Sequence, residues 1–70
     1  MKTFIFNWQI NKKYNPNVTR TKTKIKAIDA KTATDAFMKN FGNLKKNTIN
    51  FIQEVDELNQ PIGEKIVPND

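Results

Sequence analysis

Four cations, Arg20, Lys22, Lys24 and Lys26, recur at every second residue through residues 18–27. In an extended chain alternate residues share one face and stand about 6.6–6.8 Å apart, close to the step between successive phosphates on one nucleic-acid strand. Such a row can track a phosphate backbone, gaining affinity from counterion release, or meet an acidic protein surface. Lysines also suit an edge strand that must avoid pairing with other chains, and the residues alone leave both readings open. Lys12 and Lys13 form a second basic group beside Tyr14. Tyr14 is the one aromatic that periodicity leaves available for stacking on a base, and it serves equally well as a loop residue packed over the sheet end.

The carboxylates Glu54, Asp56, Glu57 and Glu64 are the nearest thing to a metal-binding group. Alternation sends Glu54 and Asp56 to one face and Glu57 to the other, and no loop has the regular oxygen spacing of a calcium site. There is no His, Cys or Ser in the chain, which removes the neutral-pH proton shuttle, the thiolate and the commonest hydroxyl nucleophile. Triad, thiol and zinc chemistry are excluded. The reading is therefore non-enzymatic, with no catalytic residue, metal or cofactor expected.

Seventy residues with 12 Lys and Arg against 7 Asp and Glu carry a net charge of +5. That length suits a single domain over residues 1–70, since a chain this short cannot divide its buried surface between two cores. The charge is bipolar: residues 1–46 carry +9 and residues 47–70 carry −4. The first residues alternate apolar with polar instead of running apolar, which predicts neither a signal peptide nor a membrane span. A cytoplasmic protein is the expectation.

These side chains must be positioned by short elements. Phe4, Phe6, Trp8 and Ile10 recur at a spacing of two, predicting a half-buried central strand. Residues 11–17, with Asn15-Pro16, predict a turn or loop. Residues 18–27 alternate again, with Thr19, Thr21, Thr23, Ile25 and Ala27 on the parity opposite the cations. After Asp29 the period becomes helical, with Ala30, Ala33, Phe37 and Phe41 on one stripe. Asp29 is the preferred N-cap, with Thr32 as the competing start, and Gly42 is the expected C-cap. Period two returns at Ile49, Phe51 and Val55. Residues 59–63 supply turn chemistry before a short last strand over residues 64–67.

The order of elements is ββαββ. A right-handed crossover of the helix over the first strand gives strand order 2-1-3-4, all antiparallel, in an α+β fold with one helix on one face. Phe4, Phe6, Trp8, Ile25, Phe37, Phe41, Phe51 and Val55 are expected beneath that helix. The other face stays open, with Ile5, Asn7, Asn50, Ile52 and Glu54 on it. Ile5 and Ile52 are then candidate apolar contacts for a partner or a second copy of the chain.

The run from Lys24 to Gly42 combines an aliphatic-x-Ala strand end, a polar cap and a short helix ending in glycine. In this it resembles the archaeal ribosomal protein LX family and many small phage-encoded ββαββ modules. Ile25, Ala27, Asp29, Ala33, Phe37, Phe41 and Gly42 carry the resemblance, and residues 49–58 fit the strand that follows. These are packing and capping positions, so the resemblance implies a fold. Ribosome association is its further implication for function.

The expectation is a small, basic binding module, a phage or mobile-element accessory protein that docks on a host macromolecule through its open sheet face or basic edge strand. An RNA- or DNA-binding accessory protein is the alternative, and an oligomer that binds a small molecule is a third. The partner is a host protein or a nucleic acid, a homodimer is a further expectation, and a membrane is not.

Overall fold

A computed structural model describes residues 1–11, 20–41 and 47–68. Four strands and one helix follow in the order β1 (Lys2–Ile10), β2 (Thr21–Ala27), α1 (Ala30–Phe41), β3 (Asn47–Val55) and β4 (Pro61–Ile66). They build one open antiparallel sheet in the order β2-β1-β3-β4, the α+β arrangement that the crossover argument predicts. Arg20 lies just before β2 and is exposed. Expected features at residues 12–19 and at Gly42, including Lys12, Lys13 and Tyr14, lie outside the described residues.

The helix begins where the sequence predicts. The Asp29 carboxylate accepts the Thr32 backbone N–H at 2.7 Å, satisfying one of the amides that the first turn leaves without a helical partner. Ala33 accompanies it through an N–H bond to the Asp29 carbonyl at 3.0 Å. Small residues on the inner face let the helix approach the sheet, and Ala33 and Phe37 are its buried positions.

Phe37 sits at the centre of the packing. Its ring stacks on Phe6 at 4.8 Å between centroids, and the edge of Trp8 meets it at 5.5 Å. Trp8 satisfies its indole N–H on the Thr23 hydroxyl at 2.9 Å, which explains how a Thr-rich strand tolerates partial burial. Phe4, Ala27, Ile49 and Ile52 complete the core, each large apolar side chain contributing on the order of 2–3 kcal/mol by leaving water. Phe41, expected in this core, touches Trp8 and Phe37 but stays 40% exposed because it lies on the last turn of the helix.

The inner face of β3 differs from the expected one. Asn7 pairs with Phe51, but the next residue, Trp8, pairs with Ile49, so Asn50 is an extra residue bulged from β3. Ile49 and Ile52, three apart, therefore both point toward the helix. Every side chain after Asn50 is inverted relative to simple alternation: Ile52 is only 2% exposed in the core, while Phe51 and Val55 lie on the other face. Glu54, expected on the open face, is paired with Phe4 on the helix side. A second irregularity lies in β4, where Gly63 at φ 72° interrupts the pairing with β3. The last strand consequently starts at Pro61, earlier than residue 64, and the turn is confined to residues 56–60.

Candidate binding face of the sheet

The sheet face away from the helix is organised in rungs across β2, β1 and β3. Lys22, Asn7 and Phe51 form one rung, Lys24, Ile5 and Gln53 the next, and Lys26, Thr3 and Val55 the third. The three lysines thus share a face with Ile5, as their parity predicts. Ile52 does not join them: the bulge at Asn50 turns it into the core and puts Phe51 in its place.

Side-chain amides gather at both irregularities of the sheet. The Asn50 side-chain NH₂ donates to the Asn7 oxygen at 2.9 Å and lies 3.4 Å from the Gln9 oxygen. On the neighbouring rung, Gln53 Nε2 donates to the Ile62 and Gly63 carbonyls at 3.1 and 3.2 Å, meeting acceptors freed where β4 breaks register. Asn7 and Gln53 are both buried although they lie on the face without a helix. Their burial shows that this face is concave.

The concavity comes from the β3–β4 turn. Asp56 Oδ1 accepts the backbone N–H groups of Leu58 and Gln60 at 2.8 and 2.9 Å, and the Asp56 N–H bonds the Gln60 carbonyl at 3.0 Å. Asn59 takes the left-handed conformation at φ 61°, which asparagine tolerates better than most residues. So placed, its side-chain oxygen accepts a 2.8 Å hydrogen bond from Lys24 Nζ on β2. The turn is thereby held over the face, and Val55 beneath it is 5% exposed.

Two hollows result. A groove of about 160 Å³ runs between Lys22, Ile5, Phe51 and Pro61. A larger cleft of about 710 Å³ opens at the end of the sheet, lined by Lys24 and Lys26 and by Asp56 and Glu57. The basic and acidic halves of the chain therefore meet across this cleft. Lys2 and Glu54 approach to 4.0 Å at its margin, a contact that contributes little because Lys2 is largely exposed. The acidic side chains do not converge further: among the described residues no group of three metal-ligating side chains is brought together.

Phe51 is the aromatic among the residues that simple alternation assigns to the wrong face. Its ring is half-buried on the open face, and Lys65 Nζ of β4 stands 4.4 Å from its centroid, a cation–π contact. The sequence carries the signal for it as two apolar residues three apart, Ile49 and Ile52, with Asn50 and Phe51 between them.

Among the described residues no helix is long and apolar enough to cross a membrane. In comparisons with known proteins, the chain matches no protein-family model, no curated protein and no solved structure. The resemblance to the ribosomal pattern thus rests on packing and capping residues alone.

Proposed function

We propose that the protein is a small non-enzymatic binding module whose working surface is the concave, open face of its sheet. The observation that carries this reading is the convergence of Lys22, Lys24, Lys26 and Lys65 around an apolar floor of Ile5, Phe51 and Val55. A sheet face that only needed to stay in water would not collect its aromatic side chain at the centre of a lysine rim. The rim favours an anionic partner, and the shallow hollows suit a macromolecule better than an enclosed small ligand. Such a module fits an accessory protein of a phage or mobile element acting on a host macromolecule.

The test compares two variants of equal charge. Lys22→Gln/Lys26→Gln alters the open face and Lys31→Gln/Lys39→Gln alters exposed positions of α1, and each pair lowers the net charge from +5 to +3. Material retained from a bacterial lysate by the immobilised protein should be lost from the first variant and kept by the second. Equal retention by both would contradict docking through this face.

A further inference from the structure

We propose that the open face binds single-stranded nucleic acid, with Phe51 as the platform on which a base stacks. The inference rests on the docking reading above and adds the class of partner. Three features of the face point to it together.

The first is the position of the aromatic. Phe51 shares a rung with Asn7 and Lys22, so its Cα lies two strand spacings, about 10 Å, from that of the lysine. A base laid on the ring leaves its backbone running over β2, where Lys22, Lys24 and Lys26 recur at every second residue with a step of about 6.6–6.8 Å. The second is the Lys65 ammonium, 4.4 Å from the centre of the ring in the free protein. It occupies the surface a base would take, and when displaced it remains beside the base as a further phosphate contact. The third is the amide cluster on the same face, in which buried Asn7 anchors Asn50, leaving the part-exposed amides of Asn50 and Gln9 to meet the polar edge of a base.

Each feature discriminates between partners. An acidic protein surface would use the lysines and leave the ring idle. A duplex keeps its bases stacked and offers only phosphates to the same row. An unpaired strand uses all three, since every base has a π-face and every nucleotide a charge.

The deciding measurement is the affinity for labelled oligothymidylate and oligouridylate of about a dozen nucleotides, beside a duplex of the same length and polyglutamate. The full chain should bind the single strands most tightly. Affinity should fall with salt at a logarithmic slope of about −0.7 per lysine engaged. Phe51→Leu keeps an apolar side chain and every charge, and should weaken single-strand binding about 5- to 100-fold while leaving polyglutamate binding unchanged. Near-ultraviolet dichroism of Trp8, on the opposite side of the sheet, verifies that each variant is folded.

Failure to bind either oligonucleotide at low salt would overturn the inference, as would a Phe51→Leu variant that binds them like the wild type. Preference for polyglutamate, abolished by Lys22→Gln/Lys26→Gln, would overturn the nucleic-acid inference while preserving docking through the face. Binding of every polyanion that both charge variants weaken equally would overturn the two together.

Discussion

Lys24 of β2 donates a 2.8 Å hydrogen bond to the side chain of Asn59, 35 residues later in the turn between β3 and β4. The bond reaches across the face of β1, and it gives an otherwise open sheet a concave wall. It also joins the basic segment of the chain to the acidic one.

Substitutions at Asn59 separate the bond from the turn that presents it. Asn59→Gly accommodates the φ of 61° and removes only the side-chain acceptor, so it should change stability by no more than about 1 kcal/mol. Asn59→Ala also forces a β-carbon into the left-handed region and should cost about 1–2 kcal/mol more. Urea denaturation followed by Trp8 fluorescence reads both. Lys24→Ala added to Asn59→Gly should cost almost nothing beyond the first change, because the bond is already gone.

Adjacent residues on β3 should respond to different extents. Ile52→Ala opens a cavity beneath the helix and should destabilise the protein by roughly 2–4 kcal/mol. Phe51→Leu, on the open face, should cost less than about 1.5 kcal/mol. A larger loss at Phe51 than at Ile52 would restore simple alternation and remove the bulge at Asn50 from the account.

The turn itself depends on one carboxylate. Asp56→Ala leaves the Leu58 and Gln60 N–H groups without their acceptor and should lower stability by about 1–2 kcal/mol. Amide hydrogen exchange should speed up at those two residues before it does so in β1.

At the helix start, the backbone N–H of Thr32, followed by its hydroxyl, holds the Asp29 carboxyl below its ordinary pKa of 3.8. Lys31 and Lys2 add smaller effects in the same direction. A folded pKa below the unfolded one stabilises the protein above the unfolded value, and the benefit disappears as pH falls through the folded value. The melting temperature should therefore drop on acidification below about pH 4. Asp29→Asn keeps a cap acceptor and should flatten that part of the profile, whereas Asp29→Ala should lower the melting temperature by a few degrees at neutral pH as well.

These residues also show what the sequence makes legible. Strand order follows from apolar β1 and the lysine row of β2, because burial and charge independently assign the centre and an edge of the sheet. Asp29 is readable because capping is local chemistry. Phe51 and Ile52 are not separable in the same way, since β3 carries apolar residues on both parities and one extra residue exchanges its faces. The bond from Lys24 to Asn59 is hidden for a different reason. It depends on the twist of the sheet and the closure of a distant turn, and neither leaves a periodic trace.

The most direct test of the binding face is a residue-resolved titration of the isotopically labelled protein with oligothymidylate, followed by amide and side-chain chemical shifts. The account predicts that the largest changes fall on Asn7, Lys22, Lys24, Phe51 and Lys65, with residues of α1 nearly unmoved. Changes concentrated on the exposed side of Ala30–Phe41, with Phe51 silent, would contradict it.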